Sequence, residues 1–346
     1  MLRKLSIYIF LVSFSLSYKI WASSASSSEE IPLIKKWASI NLQPGQLSPL
    51  PDTNEIDSAI FGDSSRVEER EKKAILVADG GGIRGVYSAT FLAEFEERTK
   101  KPIAHLFDVF GGTSTGGIIV GALNIPATFQ GTDPTIIPTY DESYGPSYPK
   151  FSAQEVLKIY ETRGDEIFKK KPCSIFRNAK YSRSGLDHIL QQYFGDMRMS
   201  ESLKPVLLPT YDMSRARPFL LTSHIPEITA GDLHPAMDPS TPRFLMRDAI
   251  RATSAAPTFF SPVKIYSIDE NNNTTPDHYT MIDGGIYANN PSIPTLEYAR
   301  RLYPEAAMRD FIMVSLGTGE LNTVHSYKKV RKWTLFHWIK PVIEMM

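Results

Sequence analysis

The stretch LFDVFGGTSTGG, residues 106–117, decides the fold. An apolar run of strand character, Leu106 to Phe110, leads without a break into Gly112-Thr113-Ser114-Thr115-Gly116, and a helix-compatible segment, Gly117 to Leu123, follows. This is G-x-S-x-G in strand–turn–helix context, where small neighbours let the chain turn sharply and lift a serine hydroxyl to the head of a helix. The positive end of that helix lies beside the hydroxyl. A glycine turn alone explains Gly112 and Gly116. The motif in this context also makes Ser114 a candidate nucleophile and points to acyl transfer.

Working outward, the same alternation recurs. Ala74 to Ala78 is a buried-strand run, and Val206 to Tyr211 and Phe219 to Thr222 are placed to pair across Ser214-Arg215-Ala216. Thr280 to Ile282 and Phe311 to Leu316 are further strand candidates, and helical patterns fall at Glu155 to Ile167, Leu186 to Phe194, Met246 to Thr253 and Thr295 to Leu302. Strands alternating with helices predict an α/β three-layer sandwich, a central and mostly parallel sheet covered on both faces. Chemistry in such sheets gathers at strand C-terminal ends. The Thr-, Pro- and Tyr-rich segment Pro126 to Pro149 has no periodicity and is expected as a surface loop near or over the site.

A second glycine-rich stretch, VADGGGIRG at 77–85, also follows an apolar run. Gly80, Gly82 and Gly85 spell G-x-G-x-x-G, which also suits a dinucleotide pyrophosphate. That alternative asks for an acid ~20 residues on, at the end of a second strand. Asp108 is the one nearby candidate, and it lies inside a strand just before the serine. Acyl transfer creates an oxyanion instead, and backbone N–H groups of such a turn can receive it. Gly81 and Gly82 are the expected donors, because a side chain there would block the approach of the substrate oxygen. Arg84 either meets a lipid phosphate, pairs with an acid such as Glu94, or is solvated. Asp79 is read as shaping the turn.

A serine hydroxyl needs a base. The chain has seven histidines. An α/β-hydrolase order of Ser, Asp, His leaves His325 or His337 if Asp283 is the acid, and neither sits in a recognisable loop motif. Met281-Ile282-Asp283-Gly284-Gly285 places an aspartate at a strand end before two glycines, which by itself also suits a structural turn.

The triplet DGGGIRG, GTSTG and DGG, in that order, resembles the patatin-like phospholipase family, as do LLPTYDMSRARPF from Leu207, AIRATSAAPTFF from Ala249, YANNPS from Tyr287 and VSLGTG from Val314. The resemblance covers about Lys73 to the C-terminus, and it implies a patatin-like fold and a Ser–Asp dyad in place of a triad. Ser114 is then the nucleophile, Asp283 the base, and the amides of Gly80, Gly81 and Gly82 the oxyanion hole, with Arg84, Gly85, Gly112, Gly116, Gly284 and Gly285 supporting the motifs. The implied substrates are phospholipids or related acyl lipids, met in transient contact with a membrane surface. No cofactor or metal is required, and the sequence has no ligand cluster for calcium. An unperturbed Asp has a pKa of ~3.9, so this base must be partly desolvated and within reach of the serine. The rivals are a Ser-His-Asp esterase of α/β-hydrolase type and a lipid-binding or storage protein with negligible turnover.

Composition bounds the setting. The 346 residues suffice for a sizeable core, and 38 basic against 38 acidic residues give no sign of nucleic-acid binding. Residues 1–25 have the layout of a secretory signal peptide: Arg3 and Lys4, an apolar run to about Tyr18, then Ala22-Ser23-Ser24-Ala25. Lys19 keeps the run short of the ~20 apolar residues of a spanning helix. The expectation is export, to a periplasm or out of the cell. Residues 26–72 read as a linker or N-terminal arm, and 73–346 as the catalytic domain. Cys173 is the single cysteine, so no disulfide forms within the chain. Phe259-Phe260-Ser261-Pro262-Val263 and the aromatic loop before Phe151 are candidates for an acyl channel, though core packing suits most of them too. The C-terminal RKWTLFHWIKPVIEMM is expected to pack on the domain.

Overall fold

The computed structural model describes residues 71–170, 179–224, 243–269, 271, 273–319, 325–334 and 337. The expected signal peptide, nearly all of the N-terminal arm, Cys173 and most of the C-terminal segment lie outside them. In chain order the strands are β1 (Lys73–Ala78), β2 (Val109–Gly112), β3 (Val206–Asp212), β4 (Arg217–Thr222), β5 (Val263–Ile268), β6 (Thr274–Asp283) and β7 (Phe311–Leu316). The helices are α1 (Gly85–Thr99), α2 (Thr115–Ala122), α3 (Ala153–Ile167), α4 (Arg183–Phe194), α5 (Met246–Thr253), α6 (Gly285–Ala288), α7 (Ser292–Leu302) and α8 (Tyr327–Val330).

One seven-stranded sheet runs β5-β6-β3-β2-β1-β7, with β4 paired to β3. Its centre is parallel: β1 lies between β7 and β2, and β2 beside β3. The hairpin partner β4 and the β6–β5 ribbon are antiparallel additions. Both faces are covered. On one, Tyr298 and Ala299 of α7 pack on Ile75, Val77, Val109 and Leu207. Leu208 points to the opposite face by strand alternation. There Gly117 of α2 approaches so closely that an added Cβ would lie 3.3 Å from Leu208 and 2.7 Å from Thr253 of α5. Ile75, Leu76, Val77 and Ala78 are fully buried, as a strand covered on both sides requires.

The register brings two distant segments together. Leu207 pairs with both β2 and β4, and Thr210 to Asp212 pair with both β4 and β6. A strand has two edges, so β2 and β6 share one edge of β3 and run toward each other along it. They stop short on either side of Pro209, which has no N–H to leave unpaired. The C-terminal ends of β2 and β6 therefore face across that gap.

Three details differ from the sequence expectations. The strand expected at Leu106–Phe110 starts at Val109 and continues into the glycines. Ile103–His105 before it is a 3₁₀ turn, and Asp108, ahead of the strand, accepts from the Ala74 N–H at 2.8 Å through its carboxylate. Val263, a channel candidate by composition, instead opens β5, whose run VKIYSI follows Pro262 directly. The loop 126–149 closes on itself through a bridge between Pro126 and Pro149 and a cluster of Tyr140, Tyr144 and Tyr148, and none of its residues lines the cavity beside Ser114.

Candidate active site

Two residues separate the end of β2 from the start of α2, and Ser114 takes the turn at φ 54°, ψ −118°. That backbone conformation costs a non-glycine residue on the order of 1–3 kcal/mol and persists only where neighbours hold it. Here they do. The Ser114 N–H donates to Thr253 Oγ1 at 3.1 Å, and its carbonyl accepts from Ser254 Oγ at 3.2 Å. Thr113 donates from Oγ1 to the Ala288 carbonyl at 2.7 Å and from its N–H to Ala78 at 3.1 Å. An added Cβ at Gly116 would lie 2.0 Å from the Ala78 carbonyl oxygen, so only glycine lets the turn close against β1.

Asp283 ends β6 and is 4% exposed. Its N–H donates to the Ala255 carbonyl at 3.1 Å, and Oδ1 accepts from the Gly285 N–H at 2.7 Å. Ser114 lies near the same carboxylate, close enough for its hydroxyl to favour the ionised form. Burial raises the Asp283 pKa to about 7, against the opposing pull of the Gly285 N–H, the Ser114 hydroxyl and the Arg251 charge. A carboxylate with that pKa is a far better base at neutral pH than an ordinary one. Arg251 is itself buried at 5% exposed, with Nε on Asp187 at 2.7 Å and the guanidinium over the Phe260 ring. Its Nη1 and Nη2 have no partner among the described residues.

The last turn of α5 and the residues after it thus hold both halves of the pair. Thr253 is the pivot: its hydroxyl accepts from Ser114 and donates to the Pro209 carbonyl at 2.6 Å, in the gap between the two strand ends. Sequence reasoning does not find Thr253, Ser254 or Arg251. All three lie in the segment AIRATSAAPTFF that carries part of the resemblance, but nothing local in it announces a role.

The glycine turn after β1 lies beside Ser114, whose Cβ would be 3.4 Å from an added Cβ at Gly80. Gly80 departs from expectation. Its N–H donates to the Asn289 carbonyl at 3.0 Å and is not free for a substrate oxygen. The Gly81 and Gly82 N–H groups have no partner among the described residues, and neither does that of Thr115, the first residue of α2. Gly82 adopts φ 59°, which turns its amide without strain only because it lacks a Cβ. Gly81 is packed against Thr318, whose Oγ1 donates to the Gly80 carbonyl at 2.8 Å and fixes the turn. Gly85 lets α1 meet Thr115, and Gly284 sits against the Pro209 carbonyl. Arg84 donates to the Gly319 carbonyl at 3.3 Å, while Glu94 pairs with Arg98. Asp79 has its pKa raised to about 6 by burial, and its N–H closes the turn onto Leu316.

Ser114 and Asp283 open onto a cavity of about 360 Å³. Its far wall is apolar: Phe168, Tyr181, Phe259, Phe260, Ile118 and Leu186. Phe259 and Phe260 are therefore where the channel reading places them, whereas no residue of the loop 126–149 lines the cavity. No histidine lines it either. His325 rests on Trp333 and His337 is bonded to Thr334 Oγ1 at 2.8 Å. The other described histidines face Ser147, Glu166, Ser223 and Tyr266. A Ser-His-Asp triad does not form among the described residues. Within them, too, no group of acidic, His or Cys side chains is arranged to hold a metal, and no helix is long and apolar enough to cross a membrane.

The comparisons agree with the motifs. A family model described as Patatin-like phospholipase matches residues 76–296. Patatin-like protein 2 of Oryza sativa subsp. indica is 29% identical over 317 residues, covering 82% of this chain and 71% of the rice protein. Patatin-like protein 1 of Arabidopsis thaliana is 28% identical over 293 residues, covering 77% of this chain and 64% of the relative. Probable inactive patatin-3-Kuras 1 of Solanum tuberosum is 26% identical, covering 80% and 71%.

Proposed function

This chain belongs to the patatin-like phospholipase family, and from that premise we propose that it is a lipid acyl hydrolase of phospholipase A type working through Ser114 and Asp283. The observation that carries the proposal is a serine beside a buried carboxylate of near-neutral pKa, both lining one cavity with an apolar wall. In the reaction, Ser114 Oγ attacks the acyl carbonyl as its proton passes to Asp283. The carbonyl oxygen becomes an oxyanion and takes the N–H groups of Gly81 and Gly82. When the tetrahedral species collapses, the ester C–O bond breaks and the Asp283 proton goes to the leaving alcohol. A water then gives its proton to Asp283 and attacks the acyl-serine. Release of the fatty acid returns that proton to Ser114 Oγ.

The apolar wall supports a fatty-acyl chain as the group transferred. Export and transient contact with a membrane surface belong to the same proposal, supported by the leader-like residues 1–25. The relative named as inactive keeps a second reading in view, lipid binding without turnover. Mass spectrometry of products from defined phospholipid vesicles separates the two. Wild type is expected to release fatty acid, and Ser114→Ala and Asp283→Asn are not. Wild-type release by both variants would overturn the assignment of the site.

A further inference from the structure

The residues next to the aromatic wall of the cavity carry positive charge that the hydrolysis does not use. Three backbone segments lie side by side there. Lys170 bridges Tyr181, and the N–H groups of Lys180 and Tyr181 donate to the carbonyls of Thr258 and Phe259 at 2.9 and 2.8 Å. This small ladder sets Lys180 Nζ 5.0 Å from the ring centre of Tyr181 and 5.1 Å from that of Phe259, two rings that themselves line the cavity. The ammonium is held over the two rings by cation–π attraction. Lys169 and Lys170 are exposed and directly follow the lining residue Phe168, and Arg84 is a lining residue. None of the three lysines has a carboxylate partner among the described residues. Asp283, at the foot, is the one carboxylate on the lining among them. Ile83, half exposed, adds an apolar group on the same lining.

We propose that this rim, Lys180 and Lys170 with Ile83 beside them, docks the cavity mouth on an anionic phospholipid bilayer. The cations meet the lipid phosphates, Ile83 enters the interface, and the acyl ester is delivered to Ser114. The preferred substrates are accordingly anionic phospholipids in a bilayer, not neutral acyl lipids. The inference rests on the acyl-hydrolase reading for the reaction that docking leads to, and docking itself needs no turnover.

The test uses the full chain carrying Ser114→Ala, so that binding is read without hydrolysis. It is sedimented with vesicles of phosphatidylcholine alone or mixed with phosphatidylglycerol. The expected result is tighter binding to the mixed vesicles, weakened by salt. Each cation removed is expected to weaken that binding about fivefold, and Lys170→Gln with Lys180→Gln roughly 30-fold. Lys170→Arg with Lys180→Arg keeps the charge and should keep the binding, which separates loss of charge from loss of fold. Equal sedimentation with both vesicles, a Gln pair that binds like its parent, or inorganic phosphate competing as well as the mixed vesicles would each overturn the proposal. Failure of the hydrolase reading shows separately, as wild type that docks and releases no fatty acid.

Discussion

Replacing Asp283 by Asn should abolish turnover and stabilise the protein, by an amount that depends on pH. The carboxyl is 4% exposed and its pKa is raised from 3.8 to about 7, chiefly by burial. A folded pKa above the unfolded one means that the native state holds the proton more tightly. This contribution to stability is complete below the unfolded pKa of 3.8 and is lost as pH rises through about 7. A shift of roughly 3 units corresponds to about 4 kcal/mol, the cost of keeping this carboxylate ionised in the fold above that pH. Asn has the same shape, does not titrate, and still offers Oδ1 to the Gly285 N–H. Its altered bond to Ser114 adds a pH-independent offset of about 1 kcal/mol. Urea unfolding of wild type and Asp283→Asn at pH 4, 6 and 8 isolates the group, because every other titration cancels in the difference. The gap should grow in favour of Asn by up to about 4 kcal/mol from pH 4 to pH 8. A gap that stays flat, or that moves toward wild type as pH rises, refutes a buried, high-pKa carboxylate at this position.

The same pKa sets an acid limb in activity: kcat/KM should fall about tenfold per pH unit below about 7, where Asp283 carries a proton and accepts none. Arg251→Met should move that limb to higher pH, because the Arg251 charge favours the ionised carboxylate; a limb that stays in place leaves Arg251 a packing residue only. Thr253→Val removes a hydroxyl bonded to both Ser114 and Pro209, and should lower stability by about 1–3 kcal/mol and kcat with it, read by thermal unfolding and ester hydrolysis. Gly81→Ala would set a Cβ 2.2 Å from Thr318 Oγ1 and should destabilise the fold, whereas Gly82→Ala meets nothing closer than 3.7 Å and carries only the backbone strain of a side chain at φ 59°. Gly82→Ala should therefore lower kcat far more than vesicle binding, and an unchanged kcat would remove Gly82 from the oxyanion hole.

The parts of this site legible in the sequence are those where one residue type answers one local geometry. Ser114 at a strand-to-helix turn, Asp283 at a strand end and the glycines of residues 80–82 are all spelled within a few neighbours. β7 and α5 are legible to the residue, because a short apolar run and a 3.6-residue periodicity are local as well. The hidden parts depend on the sheet order. That β2 and β6 share an edge of β3, and that Thr253 bridges the gap between them, depends on contacts between segments far apart in the chain. The loss of Gly80 as a donor has the same origin, since its partner Asn289 is distant in sequence and adjacent in space. The aromatic loop before Phe151 has the composition of a channel, yet its tyrosines stack on one another away from the cavity.

Activation of Ser114 by Asp283 is tested most directly by reaction with a fluorophosphonate probe, located by peptide mass spectrometry. Wild type should be labelled on Ser114, and Asp283→Asn, folded by circular dichroism, should not be labelled at any comparable rate. Label on another residue, or full-rate labelling of Ser114 in Asp283→Asn, would contradict the account.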